Sequence, residues 1–177
     1  LFNWTSKIVY TRHNERVHTS IKWRLTYALA RLRLHKLIFV AEKAQCNYLH
    51  TYQGFKKKAQ VILNGVLPII GEKSPSEKIR LGHIGRFVPL KAQHCLIEAV
   101  ALLPKHIQSQ VSINFFGTGD LLESNRELAQ KLIPEVEVLF SGFVSNRDAI
   151  FKQVDILVVT SETEGLSLAV LEALASG

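Results

Sequence analysis

Short apolar segments alternate with amphipathic segments along the whole chain. In the first third, the pattern predicts strands at 7–10, 37–40 and 59–63 and helices at about 20–34 and 42–52. A turn is predicted at 11–14, directly after the first strand. A more regular alternation follows, with strands at about 79–84, 111–116, 136–140 and 155–159 and helices at about 90–102, 121–132, 147–153 and 167–175. These strands include continuous apolar runs such as Ile156-Leu157-Val158-Val159, as expected for a parallel sheet with both faces covered. Four consecutive strand–helix units predict an α/β fold with half or more of a doubly wound parallel sheet.

The segment that separates these two regions has a different composition. Residues 67–77 are rich in Pro, Gly, Ser and charged residues, which indicates a linker. The predicted organisation is therefore a first part at 1–66, a linker at 67–77 and a second part at 78–177.

Composition narrows the class of protein. The 177 residues are 47% hydrophobic and 21% charged, which is ordinary for a globular protein and excludes a disordered or collagen-like chain. Cys46 and Cys95 show no metal-ligand or redox spacing, so we expect a reducing, cytoplasmic compartment. The apolar runs are shorter than the roughly 20 residues that cross a bilayer, and no signal peptide is visible. Because the chain lacks Met and stops without a terminating element, we expect it to be part of a longer protein.

Charge is distributed unevenly along the sequence. Residues 1–58 carry 12 Lys and Arg against 2 acidic residues, whereas residues 59–177 carry 10 against 13. The asymmetry favours an anionic partner for the first part, above all an anionic membrane surface or a phosphorylated substrate; the alternative is a solvated basic face. Nucleic acid is the least favoured partner, because no recognition-helix motif is present. The stretch 20–36 has the composition of an interfacial helix, although a helix packed on its own lobe would show the same pattern.

The loops that follow the later strands carry the candidate chemistry, because ligands of open parallel sheets bind beyond the carboxyl ends of the strands. After the first of these strands, Gly85 allows close backbone approach, and Arg86 and Lys91 place two cations near a helix N-terminus, which favours an anion such as phosphate. The second loop contains Gly117 and Gly119 but lacks the third glycine of the dinucleotide fingerprint. Each loop has a simpler interpretation, as surface cations in the first case and a tight turn in the second.

The third and fourth loops add a backbone segment and two carboxylates. Gly142-Phe143-Val144 presents backbone to a flat ring or forms a simple turn. Glu164 lies just before the last helix, and Glu172 falls inside this apolar helix, where a carboxylate is costly unless it is paired or directed into a polar site. The alternative is that Glu172 points to solvent and Glu164 only favours the helix N-terminus.

Taken together, these motifs resemble those of the retaining, nucleotide-sugar-dependent glycosyltransferases of family 4, which have the two-lobed GT-B fold. The resemblance follows the chain in order and covers nearly all of it. It comprises Thr11-Arg12-His13-Asn14, residues 61–66, Ile84-Gly85-Arg86 with Lys91, Gly117-Thr118-Gly119, Ser141-Gly142-Phe143-Val144, and the pair Glu164 and Glu172. The resemblance implies the end of an acceptor lobe at 1–66 and the start of a Rossmann-like donor lobe at 78–177.

The resemblance also implies a role for each candidate residue. Arg86 and Lys91 would bind the donor diphosphate, Glu172 the ribose hydroxyls, and Glu164 the transferred sugar. The resemblance also implies backbone contacts with the donor. The sugar and distal phosphate would be contacted by Gly165, Leu166 and Ser167, and the base by Gly142, Phe143 and Val144. Further contacts with the donor would come from Gly85, Gly117 and Gly119. His13 matches a histidine that reaches the reaction centre from the acceptor lobe, although a lone histidine at a strand end is commonly structural. No cofactor or metal is expected, since the nucleotide sugar is a substrate and no Asp-x-Asp pair is present.

Two positions depart from the family pattern. The family often has glycine where this chain has Ala92, which narrows the backbone freedom at a helix start. It frequently has Gly or Pro where Ser167 stands, and this serine is able to cap the following helix.

The function that these expectations describe is transfer of a sugar from a UDP- or GDP-linked donor, with retention of configuration, to a glycan or lipid-linked acceptor in envelope polysaccharide or glycolipid synthesis. The enzyme would be metal-independent and cytoplasmic or peripheral on the inner membrane face, and the chain on its own would be inactive. Two alternatives stay open, namely a non-catalytic nucleotide-binding or scaffold module and a sugar-nucleotide epimerase of GT-B architecture. Neither has an evident need for all of Arg86, Lys91, Glu164 and Glu172.

Overall fold

The computed structural model describes residues 6–13, 16–69, 71–164 and 166–177. The chain forms two compact units. The first unit contains the described residues up to Gly65 together with those of 163–167, and the second contains those of 66–162 and 168–177. Asn14, which belongs to the predicted turn at 11–14, and Gly165, a predicted site residue, lie outside the described residues.

The first unit is a three-stranded parallel sheet with two helices. Its elements are β1 (Ile8–Arg12), α1 (Ile21–Arg33), β2 (Leu34–Phe39), α2 (Glu42–Thr51), a 3₁₀ turn (Gln53–Phe55) and β3 (Ala59–Val61). The strand order is β1-β2-β3, and both pairs are parallel. The unit has its own core of aliphatic and aromatic side chains, which includes Leu37, Phe39, Tyr48 and Phe55.

Aromatic rings and one buried arginine hold this core together. Tyr27 of α1 meets Tyr48 of α2 edge to face, with ring centroids 5.5 Å apart, a favourable geometry for aromatic pairs. The Arg12 guanidinium lies 4.8 Å from the centroid of the Tyr48 ring and donates hydrogen bonds to the Tyr27 hydroxyl and the Arg16 carbonyl. Burial raises the pKa of Tyr48. The prediction of a turn at 11–14 is therefore wrong for Thr11 and Arg12, which belong to β1 because the buried arginine anchors the strand.

The second unit is a four-stranded parallel sheet surrounded by helices. Its elements are β4 (Ile79–Ile84), a 3₁₀ turn (Pro89–Lys91), α3 (Gln93–Ala101), α4 (Lys105–Gln108), β5 (Val111–Phe116), α5 (Leu122–Leu132), β6 (Glu137–Gly142), α6 (Arg147–Phe151), β7 (Ile156–Leu157) and α7 (Leu168–Ala175). The strand order is β6-β5-β4-β7, and every pair is parallel. The predicted parallel α/β class is confirmed.

This strand order locates the place where a ligand would bind. The chain first adds β5 and β6 on one side of β4 and then places β7 on the other side. The order therefore reverses beside β4, and a crevice for ligands opens at such a switch point beyond the carboxyl ends of the strands. The loops after β4 and β7 border this crevice.

Three local features of the second unit differ from the sequence prediction. The helix predicted from about residue 90 begins at Gln93, because Pro89–Lys91 forms a 3₁₀ turn that ends at Ala92. The last strand contains only Ile156–Leu157, which pair with two residues of β4. The short helix Lys105–Gln108 after Pro104 was not predicted.

An ion pair joins the beginnings of β4 and β7. Arg80 Nη2 lies 2.8 Å from Asp155 Oδ1, and Arg80 Nε donates to Oδ2 at 3.0 Å. The Arg80 amide donates to the same Oδ2 at 2.9 Å. The hydrogen bonds from Arg80 lower the pKa of Asp155 to about 2, so the carboxylate is charged whenever the surrounding pH is above that value.

Candidate active site

Backbone hydrogen bonds join the loops at the carboxyl ends of all four strands of the second unit. After β4, the Phe87 amide donates to the Thr118 carbonyl at 2.9 Å, which connects the β4 and β5 loops. The Gly117 amide donates to the Gly142 carbonyl at 2.7 Å, which connects the β5 loop to the end of β6. The Glu162 amide, which follows β7, donates to the Leu90 carbonyl at 3.0 Å. The predicted loops therefore form one continuous edge of the sheet.

Two glycines allow the β4 and β5 loops to approach each other. Gly117 and Gly119 have φ values of 141° and 151°, which L side chains rarely adopt. A Cβ atom on Gly117 would collide with the Gly85 carbonyl, and one on Gly119 would collide with the backbone of Phe87. The need for glycine at both positions thus follows from contact between the loops.

Arg86 and Lys91 lie on the loop and turn between β4 and α3. Arg86 is exposed and Lys91 is half-buried. The aliphatic part of Lys91 passes Gly85, where its Cδ lies 3.4 Å from the position that a Cβ would occupy. Gln93, the first residue of α3, is buried and donates from Nε2 to the Arg86 carbonyl at 2.9 Å. Two cations thus precede a helix N-terminus, whose amides and dipole favour an anion.

The backbone of Ala92 separates the Lys91 turn from α3. Ala92 has φ 45° and ψ 45°, and among the described residues it is the only one other than glycine with a positive φ. An alanine in this left-handed conformation costs about 1–2 kcal/mol, because its Cβ crowds the carbonyl oxygen. Ala92 thus takes up a conformation that a glycine at this position would adopt without strain.

Glu172 is paired inside the second unit. Its Oε1 lies 3.3 Å from Nη1 of Arg147, and its side chain is 16% exposed. The interpretation of Glu172 as a solvent-directed carboxylate is therefore wrong, because α7 turns it toward the beginning of α6. Arg147 was not among the predicted residues, because its significance comes from its contact with Glu172 and no local pattern indicates that contact.

The Gly142-Phe143-Val144 segment begins at the last residue of β6, at the carboxyl edge of the sheet. Gly142 has φ 67°, a left-handed conformation that suits glycine. The Phe143 ring is 79% exposed, and Val144 packs on the small cluster of Phe116, Ile150 and Val154. The exposed Phe143 ring is thus available to a flat ligand.

The remaining predicted residues belong to the first unit. His13 is exposed directly after β1. Glu164, Leu166 and Ser167 are half-buried and group with the first unit, and Ser167 directly precedes α7. The site residues that the structure brings together in one unit are those of the β4, β5 and β6 loops and Glu172.

One group of potential metal ligands was not predicted. Within the part of the chain that the structure describes, His94, Cys95 and Glu98 have ligand atoms that all lie within 4.8 Å of one another. All three side chains are exposed on α3, where Glu98 stands four residues after His94 and three after Cys95. This spacing on one helix is the sequence signal that indicates the group. No described helix combines the length and apolar character needed to span a membrane.

Comparison with solved structures defines the class of fold. The chain is similar to HepE of Anabaena in complex with UDP-glucose, with a TM-score of 0.80 and 23% identity over 96% of this chain and 51% of HepE. It is also similar to a mutant of S. aureus TarM in complex with Fondaparinux, alpha-GlcNAc-glycerol and UDP, with a TM-score of 0.79 and 22% identity over 96% of this chain and 35% of TarM. The fold is that of the GT-B glycosyltransferases, which confirms the predicted type.

Comparison with family models identifies the family. The model described as Glycosyl transferases group 1 matches residues 70–177. The chain therefore belongs to the group 1 glycosyltransferase family.

Among the curated relatives, the chain is 31% identical to the lipopolysaccharide core biosynthesis glycosyltransferase LpsE of Rhizobium meliloti (strain 1021), over 70% of this chain and 37% of LpsE. The chain spans between 20% and 39% of the length of the curated relatives that it matches.

Proposed function

We propose that the full-length protein transfers a sugar from a UDP- or GDP-linked donor to a glycan or lipid-linked acceptor, with retention of configuration, in envelope polysaccharide or glycolipid synthesis. Family membership supports the transferase class. The UDP named in the HepE and TarM complexes supports a nucleoside diphosphate as leaving group. The relatives named for lipopolysaccharide core and capsular polysaccharide biosynthesis support the proposed setting.

The observation that carries the proposal is the pair of cations at the switch point. Arg86 and Lys91 lie between β4 and the N-terminus of α3, on the loop that the β5 and β7 loops hold by backbone hydrogen bonds. A leaving diphosphate gains negative charge as its bond to the sugar breaks. Fixed cations and helix amides stabilise that charge without needing to reorganise during the reaction.

The proposed reaction exchanges one bond at the anomeric carbon. The bond from this carbon to the diphosphate oxygen breaks, and a bond to the acceptor oxygen forms on the same face. The acceptor hydroxyl proton passes to the departing diphosphate. Arg86 and Lys91 neutralise the diphosphate, while Glu164 positions a hydroxyl of the transferred sugar. The role proposed for His13 is the one that the family resemblance implies, that of a catalytic histidine of the acceptor lobe.

The nucleoside would be bound by a second group of residues. Glu172 accepts hydrogen bonds from the ribose hydroxyls, and Gly142, Phe143 and Val144 contact the base. The position of Glu172 beside Arg147 supports this assignment, because a carboxylate held by one cation keeps other lone pairs for hydroxyl donors.

We further propose that α1 attaches the acceptor lobe to an anionic membrane surface. At about 100° per residue, its four exposed large aliphatic residues fall within about 80° of the helix circumference. They are Ile21, Leu25, Leu29 and Leu32.

Exposed cations flank this stripe on both sides, with Lys22 and Arg33 on one and Arg24 and Arg31 on the other. The buried Tyr27 lies on the opposite face. An apolar stripe between two basic margins fits a headgroup region.

The experiment for the transferase proposal is turnover of UDP- and GDP-sugars by the full-length protein, with the anomeric configuration of the product read by NMR. We expect transfer with retention that persists in EDTA. Inverted product or loss of activity in EDTA would contradict the mechanism. Nucleotide binding without transfer would favour the scaffold, and release of an epimerised sugar would favour the epimerase.

The membrane proposal is tested by co-sedimentation of the same protein with vesicles. We expect binding to vesicles that contain anionic lipid and a decline as salt rises, because the Debye length shortens to about 10 Å at 0.1 M. Absence of binding at low salt would contradict it.

A further inference from the structure

We propose that Thr160 and His83 are positioning residues for Lys91, and that they hold the Lys91–Ala92 peptide in its left-handed turn so that Lys91 faces the donor diphosphate. The inference rests on the proposed role of Lys91 in binding that diphosphate.

A short chain of hydrogen bonds reaches the Lys91 backbone. Thr160 Oγ1 donates to the Lys91 carbonyl at 2.8 Å. Because a threonine hydroxyl has a single hydrogen, the same oxygen must accept the hydrogen bond from His83 Nε2, which lies 3.1 Å away. His83 therefore carries its hydrogen on Nε2. His83 is only 2% exposed, so the His83 end of this chain of bonds is shielded from competition by water.

The left-handed turn explains why this carbonyl uses a side-chain donor. In a continuous α-helix, the Cys95 amide would donate to the carbonyl four residues earlier, that of Lys91. It donates instead to the Ala92 carbonyl, at 3.0 Å. The positive φ of Ala92 turns the preceding peptide out of the helical direction, and the Thr160 hydroxyl takes the place of the helical donor.

A second bond holds the neighbouring carbonyl from the same loop. The Glu162 amide donates to the Leu90 carbonyl at 3.0 Å. The residues after β7 thus bind two consecutive carbonyls of the turn that carries Lys91. They do so across the switch point between β4 and β7, where the donor is proposed to bind.

Through these contacts, the direction in which the Lys91 side chain points depends on the residues that follow β7. Without the Thr160 hydroxyl, the Lys91 carbonyl loses this hydrogen bond, and the strained turn is free to relax toward an ordinary helical start. Lys91 would then leave the edge in another direction. Small displacements of a charged group at a reaction centre have large effects on rate.

The test is a double-mutant cycle on the full-length protein, with UDP and GDP binding measured by calorimetry. We expect Thr160→Val to weaken binding of the preferred diphosphate about tenfold. This is the scale of one lost hydrogen bond, here the bond that orients the Lys91 cation. Thr160→Ser keeps the hydroxyl and should stay within about threefold of the wild type. His83→Phe keeps an aromatic ring but removes the Nε2 hydrogen-bond donor, and it should also weaken diphosphate binding.

The cycle separates positioning from general destabilisation. If Thr160 acts through Lys91, then Thr160→Val adds little in a Lys91→Ala background, because the group that it positions is gone. Thr26→Val is the matched control, since the Thr26 hydroxyl also donates to a lysine carbonyl, that of Lys22, at 2.9 Å on α1. This control should leave diphosphate binding unchanged.

The outcomes distinguish this inference from the proposed function. If Lys91→Ala weakens diphosphate binding but Thr160→Val does not, the positioning role is wrong and the transferase proposal stands. Additive losses in the double mutant, or failure of serine to restore binding in a folded protein, would also overturn the positioning role. If Lys91→Ala itself has no effect on binding, the assignment of Lys91 fails.

Discussion

The two units present their charged residues in different ways. In the first unit, α1 carries basic residues on both sides of an exposed apolar stripe along a surface helix. In the second unit, Arg86 and Lys91 occupy a loop and turn that neighbouring loops hold by backbone hydrogen bonds. Many cations around an apolar stripe fit an extended anionic surface, whereas a few positioned cations fit one small anion. The basic residues of the first unit are therefore proposed to bind an anionic membrane surface, and the two cations of the second unit are proposed to bind the donor diphosphate.

The largest expected effect is on membrane binding by the first unit. Replacing Lys22, Arg24, Arg31 and Arg33 together by Gln should reduce partition onto anionic vesicles about 1,000-fold, since each basic residue contributes on the order of 1 kcal/mol. Co-sedimentation at low salt measures the change. Nucleotide turnover in solution should be unaffected, and equal vesicle binding by variant and wild type would leave α1 as only a solvated face.

The next largest expected effect is on turnover, through the two cations of the second unit. Arg86→Ala or Lys91→Ala in the full-length protein should lower turnover by about 100- to 1,000-fold, the scale of one preorganised charge stabiliser. Steady-state kinetics with the preferred nucleotide sugar measures it, and vesicle binding is the control that should not change. Retained turnover in both single variants would remove the diphosphate role.

A smaller effect separates the two glutamates. Glu172→Ala should weaken binding of the bare nucleoside diphosphate about tenfold, because hydrogen bonds from the ribose are lost. Glu164→Ala should mainly lower turnover, with a milder effect on nucleotide affinity. Calorimetry with UDP and GDP distinguishes the two. Equal losses of affinity would mean that the assigned roles are wrong.

The smallest effect is on stability and its pH dependence. The hydrogen bonds from Arg80 keep the folded-state pKa of Asp155 at about 2, below its ordinary value of 3.8. Its stabilisation is therefore present above about pH 4 and is lost as the pH falls toward 2. Because the pair is partly exposed, we expect Asp155→Asn to cost about 1 kcal/mol near neutral pH.

Chemical denaturation at pH 7 and at pH 3 measures this contribution. The destabilisation by Asp155→Asn should be smaller at pH 3. A pH-independent difference between variant and wild type would exclude the charged pair as its source.

Sequence patterns predicted the class of fold because short segments rich in apolar residues alternate regularly with helical segments in residues 78–177. The strand order was not predictable, since local patterns do not say on which side of β4 a strand pairs. The left-handed conformation of Ala92 was also not predicted, because local patterns do not show the hydrogen bond to the adjacent Lys91 carbonyl from Thr160, which is 68 residues from Ala92 in the sequence.

The candidate site shows the same limit. The sequence was enough to identify three charged candidate residues, because they lie in predicted loops and helices and in motifs that resemble a known family. They are Arg86, Lys91 and Glu172. Arg147 and Thr160 could not be identified in this way, because their significance comes from contacts with Glu172 and with the Lys91 carbonyl. Local patterns therefore identify charged groups more readily than the residues that orient them.

The most direct test of the account is binding of nucleotide sugars to the full-length protein by saturation-transfer NMR, with panels of UDP- and GDP-sugars. We expect saturation of the base, ribose and sugar protons of at least one donor, and loss of this signal when Arg86 and Lys91 are both replaced by Ala. Saturation that is unchanged in the double variant, or no binding of any UDP- or GDP-sugar, would contradict the central claim that the edge at the β4–β7 switch point is a donor site.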